Sequence, residues 1–392
     1  MNKQLLQNDV QDFIRKNLKS DLSKLILKGS PFPDVSIQEI AAQIAGLKTA
    51  EKKLPTWFQT PGILFPPRLN LEQTSSEITA KYKASLVSGE KLIDITGGFG
   101  VDTFHFSKKA EKVQYCEINQ ELTEISGHNF EVLGADNINT HHTDGLQYLK
   151  TSSENFDWIF ADPARRDEHG GKVFRLSDCQ PDIPANLKLL FERSENILIK
   201  TSPLLDLSAG IEELESVAKI HIVAVENEVK ELLWLLPKTP SEEVKVKTIN
   251  FQKKGNQEFE AVLSTNTAEI EFSFPEKYLY EPNAAIMKSG SFAALAEVTG
   301  TKKLHINSHL FTSEQIKNFP GRCFEIIDTV EFSRKHLKKS FGGKKANITT
   351  RNFPESVAEI RNKLKIKDGG KDYLFFTTNL NEEKIVLLCR KV

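Results

Sequence analysis

Apolar residues recur at intervals of three and four positions through the first 80 residues, and shorter β-branched runs follow them. The helix-spaced positions at the start of the chain are Leu5, Val10, Phe13, Ile14, Leu18, Leu22, Leu25 and Ile26. This spacing predicts amphipathic helices. A further helix is predicted over 37–50, capped by 34–36, and another begins near Glu77, where Ser75 or Ser76 can cap it.

Between residues 89 and 238 the pattern changes to short apolar runs separated by helical stretches. The predicted strands cover 91–95, 112–117, 137–142, 156–161, 196–200, 220–226 and 231–236. This alternation predicts an α/β fold with a parallel sheet and helices on both faces. Ligands of such sheets bind at the carboxyl ends of the strands, so residues at those ends are the candidates for function.

Beyond residue 241 strand patterns are mixed with short helices, and 302–311 is predicted to be one strand. From Pro320 onward the pattern predicts the order βαβαββ, with a final hairpin around 379–383. That order is close to a ferredoxin-like α+β arrangement, so a second fold type is expected to follow the α/β region.

The composition sets limits on the class of protein. A chain of 392 residues with 39% hydrophobic residues is expected to hold two or three domains with cores. No run reaches the roughly 18 apolar residues that a membrane span needs, and the N-terminus has no signal-peptide core. Four scattered cysteines without a CxxC motif suggest neither a disulfide framework nor a zinc site. A reduced, soluble, cytoplasmic protein without a metal is expected.

Charge is distributed unevenly although the formal net charge is only −1. Residues 89–238 hold 26 acidic against 15 basic side chains, and residues 320–392 hold 16 basic against 9 acidic ones. Such a distribution is typical of a cation-binding fold joined to a module that binds a polyanion. The alternative for the basic tail is an ordinary solvated surface.

The segment 91–102, KLIDITGGFGVD, is the strongest local motif. A buried strand is followed by a turn that is rich in glycine and then by a helix that begins near Val101. The glycines of the turn are Gly97, Gly98 and Gly100. Strand, glycine turn and helix together open a nucleotide-binding βαβ unit.

Two carboxylates decide between the cofactors that such a turn can bind. Asp94 lies in the strand and Asp102 lies just past the turn, and the third glycine of the dinucleotide pattern GxGxxG is absent. An acid beside the helix N-terminus disfavours a phosphate group. S-adenosylmethionine carries a sulfonium and an ammonium and no phosphate, so it is the predicted cofactor.

Acidic residues also end the second and third predicted strands. Glu117 can accept hydrogen bonds from both ribose hydroxyls of a nucleoside cofactor. Asp144 can accept the adenine amino group, or it can cap the helix that follows it, and the two roles are compatible.

The fourth predicted strand ends in Asp162, which is followed by Pro163, Ala164, Arg165 and Arg166. Methyl transfer needs an aligned acceptor and the removal or polarisation of a proton, both of which a carboxylate can provide. Asp162 is therefore a predicted catalytic and cofactor-binding residue. Arg165, also a candidate for catalysis, and Arg166 can grip a phosphate or a base edge, or they can pair with nearby acids.

The loop after the fifth predicted strand contains Thr201 and Ser202 in place of a cysteine. Carbon methylation of a pyrimidine uses a cysteine nucleophile. Methylation of a nitrogen atom is therefore favoured over methylation of carbon.

Taken together, DITGGFGVD, CEIN and DPARR resemble class I S-adenosylmethionine-dependent methyltransferases. The stretches EQTSSEITAKYKA, ILIKTSPLLD, YEPNAAIMKSG and ANITTRNFP resemble the bacterial group with a ferredoxin-like segment and a THUMP-like domain. The resemblance implies a seven-stranded class I sheet and RNA as the substrate class. It implies cofactor contacts at Gly97, Gly98, Gly100, Glu117 and Asp144.

This resemblance also divides the chain. It implies a helical region over 1–80, a methyltransferase domain over 81–240, a ferredoxin-like segment over 241–319 and a THUMP-like domain over 320–392. The motif of amino-methylating relatives is Asn or Asp, two prolines and an aromatic residue. Here Ala164 replaces the second proline and Arg165 the aromatic residue, which leaves the target atom open.

Basic residues of the tail are the candidates for RNA contacts. Lys344 and Lys345 lie in a glycine-containing loop after a basic helix, and Arg351 follows them. Such a cluster is expected to bind phosphates in a salt-dependent way. The leading hypothesis is an RNA methyltransferase that acts on a base nitrogen. The alternatives are a methyltransferase of a protein or small molecule, and a non-catalytic RNA-binding protein.

Overall fold

The computed structural model describes residues 1–165, 175–263 and 270–392. Arg166 lies outside these residues, so its predicted role stays a prediction. The described chain forms two compact units. The first holds 1–218 with 233–241, and the second holds 219–232 with 242–392.

Helices fill the first 84 residues of the first unit. After a 3₁₀ turn over Lys3–Leu6 they are α1 (Asn8–Lys16), α2 (Leu22–Lys28), α3 (Ile37–Lys53), α4 (Pro55–Gln59), α5 (Arg68–Gln73) and α6 (Glu77–Ala84). A capping box starts α3, because Ser36 Oγ accepts from Glu39 N and Glu39 Oε2 accepts from Ser36 N. The predicted helix over 37–50 and the Ser76 cap of α6 are both confirmed.

These helices pack on the start of the α/β region. Trp57 stacks edge-on against Phe104, with ring centroids 4.9 Å apart, and Phe65 packs against Phe99 at 6.1 Å. All four rings belong to one buried apolar cluster. The N-terminal helices therefore hold the segment around the glycine turn from one side.

Strands and helices then alternate, as predicted. They are β1 (Gly89–Asp94), α7 (Val101–Phe106), β2 (Ala110–Glu117), α8 (Gln120–Val132), β3 (Ile138–His142), α9 (Gly145–Thr151), β4 (Phe156–Ala161), β5 (Ala164–Arg165), β6 (Cys179–Gln180), α10 (Ile183–Arg193), β7 (Ser194–Thr201) and α11 (Leu207–Leu214). β1 pairs in parallel with β2 and β4, β2 with β3, and β4 with β7. The carboxyl ends of these strands therefore lie at one edge of the sheet.

The sheet continues through β8 (Lys219–Val225), β9 (Glu228–Pro237), β10 (Lys245–Phe251) and β11 (Gln257–Val262). Its strand order is β11-β10-β8-β9-β7-β4-β1-β2-β3. The expected seven-stranded class I sheet runs from β3 to β8. β10 pairs in parallel with β8, and β11 pairs antiparallel with β10, so the sheet has two strands more than expected.

The rest of the second unit forms a seven-stranded sheet with helices. Its elements are β12 (Tyr278–Pro282), α12 (Ala284–Ser289), α13 (Phe292–Thr299), β13 (Lys302–Lys303), β14 (Phe311–Ser313), β15 (Gly321–Glu331), α14 (Arg334–Phe341), β16 (Asn347–Thr350), α15 (Val357–Leu364), β17 (Asp372–Thr378) and β18 (Lys384–Lys391). The strand order is β13-β14-β12-β15-β18-β17-β16. The βαβαββ order and the final hairpin are confirmed.

The single strand expected over 302–311 was wrong, because only its two ends are strands. Between them His305 Nδ1 accepts from Asn307 N at 3.1 Å, and Ser308 N donates to the His305 carbonyl oxygen at 3.2 Å. These local bonds form a turn that competes with a strand ladder. The apolar pattern alone did not reveal this turn.

Candidate functional site

The glycine turn is closely packed against β2. A Cβ on Gly97 would lie 2.2 Å from the Tyr115 ring, so this position requires glycine. Gly100 adopts φ +77° as the N-cap of α7, a left-handed conformation that glycine adopts at little cost. Gly98 N donates to Glu117 Oε2 at 2.8 Å. The predicted cofactor loop is therefore joined to the acid at the end of β2.

Asp94 is a buried carboxylate at the end of β1. Its Oδ2 accepts from Thr103 Oγ1 at 2.6 Å, and its Oδ1 accepts from Thr96 N at 3.0 Å. Burial raises the pKa of Asp94 to about 7, although both hydrogen bonds lower it. Because this buried carboxyl can lose its proton near neutral pH, a cationic ligand would favour its charged form.

Asp102 belongs to a network that the sequence interpretation missed. Ser75 Oγ donates to Asp102 Oδ2 at 2.7 Å, and the Nζ of Lys83 lies 3.3 Å from Asp102 Oδ1. The Lys83 side chain is completely buried. The available signal was its helical spacing, since Lys83 shares a face of α6 with the buried residues Ala80 and Ala84.

Asp162 follows β4 and contacts a second lysine. Its backbone N–H donates to Thr96 Oγ1 at 2.7 Å. Its Oδ2 accepts from the Nζ of Lys200, which lies near the end of the neighbouring strand β7. Among the described residues its other oxygen, Oδ1, has no hydrogen bond. The predicted strand over 196–200 ends at this lysine, but the pair was not predicted from the sequence.

A cleft of about 570 Å³ opens beside the glycine turn. Its described lining has three carboxylates and neither lysine nor arginine. The lining residues are Asn70, Gln73, Thr74, Ser75, Asp94, Thr96, Gly97, Gly98, Phe99, Val101, Asp102, Phe160 and Asp162. The structure thus brings together five predicted cofactor residues, and the donor set suits a cation. Gln73 also lines the cleft, whereas Ser76 caps α6.

Glu117 and Asp144 lie at the adjacent ends of β2 and β3, where Thr143 N donates to the Glu117 carbonyl oxygen at 3.0 Å. Glu117 also accepts from Asn119 N at 2.8 Å. Asp144 Oδ1 accepts from Gln147 N at 2.9 Å, so the capping role is confirmed. Both residues flank the edge of the sheet that carries the glycine turn, outside the immediate lining given above.

The predicted substrate residues lie in different places. Arg165 pairs through its backbone with Cys179 in the short β5–β6 ladder. Lys344 and Lys345 are exposed in the second unit. Arg351 is partly exposed there, and its guanidinium donates to Glu281 Oε1 at 2.9 Å. The buried Glu281 therefore holds Arg351 in a fixed orientation.

Cys116, His141 and His142 make structural contacts at neighbouring strands of the first sheet. Burial raises the pKa of the Cys116 thiol well above its usual range. His141 bonds to Gln114 at 2.8 Å, and His142 bonds to a backbone oxygen at 3.0 Å. Within 1–165, 175–263 and 270–392 no cluster of three or more His, Cys, Asp or Glu side chains could hold a metal ion. No helix in those ranges is both long and apolar enough to cross a membrane.

Family models match the C-terminal part of the chain. Residues 278–320 match a ferredoxin-like domain, and residues 321–391 match a THUMP domain-like family. A crystal structure of a protein from Porphyromonas gingivalis W83, provisionally assigned as a methyltransferase, is similar over the full chain. The two share 32% identity at a TM-score of 0.88, over 100% of this chain and 98% of that one.

Two curated proteins are similar over a shorter region. An uncharacterised RNA methyltransferase from Mycoplasma mobile is 30% identical over 135 residues, which are 33% of this chain and 37% of that protein. A tRNA (uracil(54)-C(5))-methyltransferase from Pyrococcus furiosus is 26% identical over 142 residues, 34% of each chain. The chain thus spans about a third of the length of these curated relatives.

Proposed function

This chain belongs to the bacterial family of class I S-adenosylmethionine-dependent methyltransferases with ferredoxin-like and THUMP-like C-terminal domains, and we propose that it methylates a base nitrogen in RNA. The observation that carries the proposal is the convergence of Asp94, Asp102 and Asp162 on one cleft beside the glycine turn.

The residues of the cleft fit the cofactor. S-adenosylmethionine supplies a methyl group on a sulfonium, and its positive charges suit a lining of carboxylates without basic residues. Gly97 and Gly98 bring backbone against the cleft without a side chain. Glu117, next to Gly98, would accept the ribose hydroxyls, and Asp144 at the neighbouring strand end would accept the adenine amino group.

Asp162 is proposed to act on the acceptor nitrogen. Thr96 Oγ1 accepts from the Asp162 N–H and also donates to Asp94, so one hydroxyl links the cofactor side of the cleft to the catalytic carboxylate. A carboxylate fixed in this way can orient the acceptor and take its proton. The Arg165 guanidinium, and that of Arg166 outside the described residues, would grip the substrate.

RNA as the substrate is supported by the chemistry of the tail. Residues 320–392 hold 16 basic side chains, and the exposed Lys344 and Lys345 lie in this part. The curated relatives are named as RNA and tRNA methyltransferases. We propose that the tail docks RNA phosphates, with Arg351 as one contact, and that the protein acts in the cytoplasm. The division at residues 80, 240 and 319 is part of the same proposal.

Methylation of a pyrimidine carbon is a second candidate, because the Pyrococcus relative is named for it. It would need a cysteine nucleophile. Cys179 lines a separate small cleft with Pro163 and Thr201, and its thiol donates to the Arg175 carbonyl oxygen at 3.8 Å. Cys179→Ser separates the two chemistries, since methylation of nitrogen should survive this change and methylation of carbon should not.

The test uses the full chain, labelled S-adenosylmethionine and bulk bacterial RNA, with calorimetry of cofactor binding beside it. Asp162→Ala should reduce transfer by about 100-fold or more. The exposed carboxylate Asp136, replaced by Ala, serves as the control and should leave transfer unchanged. Cofactor binding without any transfer to RNA would refute RNA as the substrate, and unchanged transfer by Asp162→Ala would remove this residue from the mechanism.

A further inference from the structure

Resting on the proposed function, we propose that Lys200 determines which base is methylated. Together with Asp162 it selects a lactam edge, in which a ring N–H stands beside a carbonyl, as in guanine and uracil.

The two side chains are brought together by neighbouring parallel strands. In the pairing of β4 with β7, Ala161 is the partner of Ile199, and Asp162 and Lys200 are the next residues of their chains. Their charged groups are in contact. The Asp162 side chain, which lines the cleft, is 34% exposed, and that of its partner Lys200 is mostly enclosed, at 13%.

This pair presents an acceptor and a donor side by side. Among the described residues Asp162 Oδ1 takes no hydrogen bond, so it can accept an N–H of the base. The Lys200 ammonium carries three N–H donors and accepts none. The nucleobase edge that is complementary to the Asp162–Lys200 pair therefore has a hydrogen-bond donor for Asp162 beside an acceptor for Lys200.

The three kinds of nitrogen on a nucleobase differ in how they would interact with Asp162 and Lys200. A ring nitrogen with a lone pair, as in adenine or cytosine, would face the negative carboxylate of Asp162. An exocyclic amine can donate to Asp162, but Lys200 would then bond to the adjacent ring nitrogen. That bond withdraws electrons from the amine and makes it a weaker nucleophile. Only the lactam nitrogen is activated by both groups.

In a lactam, the N–H proton passes to Asp162, and the electron pair of that bond remains on nitrogen. The nitrogen forms a bond to the methyl carbon while the carbon–sulfur bond breaks and its pair stays on sulfur. The sulfonium charge and the carboxylate charge are both lost, and Asp162 later releases its proton to water. Lys200 stabilises the negative charge that develops on the carbonyl oxygen.

A small cleft begins at the residues that directly follow the pair. It is lined by Pro163, Leu176, Thr201, Ser202 and Leu205, together with Arg175 and Cys179. Its empty volume is about 350 Å³. Apolar side chains and hydroxyls beside the Asp162–Lys200 pair would suit the face and edge of a base turned out of its strand.

Binding is measured without turnover by equilibrium dialysis of labelled GMP, UMP, AMP and CMP against the full chain loaded with S-adenosylhomocysteine. GMP or UMP should bind at least about tenfold more tightly than AMP and CMP. Lys200→Met should abolish this preference, and Lys200→Arg should keep part of it. The exposed Lys188 on α10, changed to Met, is the matched control and should leave the preference intact. Lys200→Gln replaces the Met variant if thermal melting shows that the latter is unfolded.

Transfer to bulk RNA gives the second readout. The label should appear in N1-methylguanosine or N3-methyluridine, and Lys200→Met should lower the rate about 100-fold and move the pH–rate profile toward alkaline pH. The idea is overturned by equal binding of all four nucleotides, by a preference that survives Lys200→Met, or by label confined to adenosine or cytidine. Label in adenosine or cytidine leaves the proposed function standing. Nucleotide preference without transfer to RNA would instead support the role of Lys200 and refute RNA as substrate.

Discussion

Lys83 of α6 and Asp102 of α7 form a buried ion pair beside the cleft at the glycine turn, with Nζ and Oδ1 3.3 Å apart. Ser75 Oγ bonds to the Asp102 carboxylate and receives a hydrogen bond from Lys83 at 3.1 Å. This ion pair therefore joins α6, the last helix of the N-terminal region, to α7, the helix that follows the glycine turn. The N-terminal helices thus take part in forming the cleft beside the glycine turn.

Lys83→Met should lower the free energy of unfolding by about 3 kcal/mol, because it leaves the enclosed carboxylate of Asp102 without its cation. Urea unfolding at neutral pH measures this change. Lys238→Met is the control, since Lys238 and its partner Glu195 are both exposed, at 47% and 70%, and their pair should contribute less than about 1 kcal/mol. Adding Asp102→Asn to Lys83→Met should restore part of the stability. An equal effect of the two lysine variants would contradict this account.

Gly97→Ala should destabilise the chain by about 1–3 kcal/mol and weaken cofactor binding, because the added methyl group would meet the Tyr115 ring. The ring cannot move freely, since Tyr115 Oη donates to the Gly98 carbonyl oxygen at 2.6 Å. Gly127→Ala, within α8, is the matched change. There a Cβ would lie 3.6 Å from Thr140, an ordinary contact, and the variant should gain about 0.5–1 kcal/mol. Urea unfolding measures the stability of both variants, and calorimetry measures their affinity for the cofactor. Unchanged cofactor binding by Gly97→Ala would contradict the assignment of the glycine turn as the binding loop.

Asp94 should make stability fall as pH rises. Burial raises its pKa from 3.8 in the unfolded chain to about 7 in the folded one. The folded state therefore binds this proton more tightly, and its contribution, fully present below pH 4, is lost as pH approaches and passes 7. Asp94→Asn removes this titration. The free energy of unfolding of the variant relative to the wild type should therefore rise by about 2–4 kcal/mol as the pH is raised from 4 to 8. Urea unfolding of both proteins across this range tests the sign, and a constant difference would refute it.

Lys344 and Lys345 should contribute to RNA affinity through phosphate contacts. Replacing both by Ala should reduce the slope of log affinity against log salt by about 1.5, because each phosphate contact contributes roughly 0.7–0.9. Filter binding of bulk RNA over a salt series measures the slope. Lys24 and Lys28, exposed on α2 and also changed to Ala, form the control pair. An equal loss of slope in both double variants would mean that the tail has no special role.

Local patterns predicted most elements because they depend on near neighbours in the chain. The βαβαββ order of the tail and the cap of α9 by Asp144 follow from periodicity and from the residue types that favour caps. The strand expected over 302–311 failed because bonds of His305 to its neighbours form a turn that hydrophobicity does not indicate. The placement of β10 and β11 at the edge of the first sheet depended on long-range pairing.

Sequence alone was enough to predict the alternation of strands and helices, the glycine turn and the acids at the ends of the strands, because each depends on side-chain period or backbone freedom within a short segment. Which charged side chains come into contact depends on the tertiary fold. Asp162 and Lys200 are separated by 38 positions in the chain, and Ser75 and Asp102 by 27. Strand order, register and helix packing bring such residues into contact, and none of these is encoded within a local window.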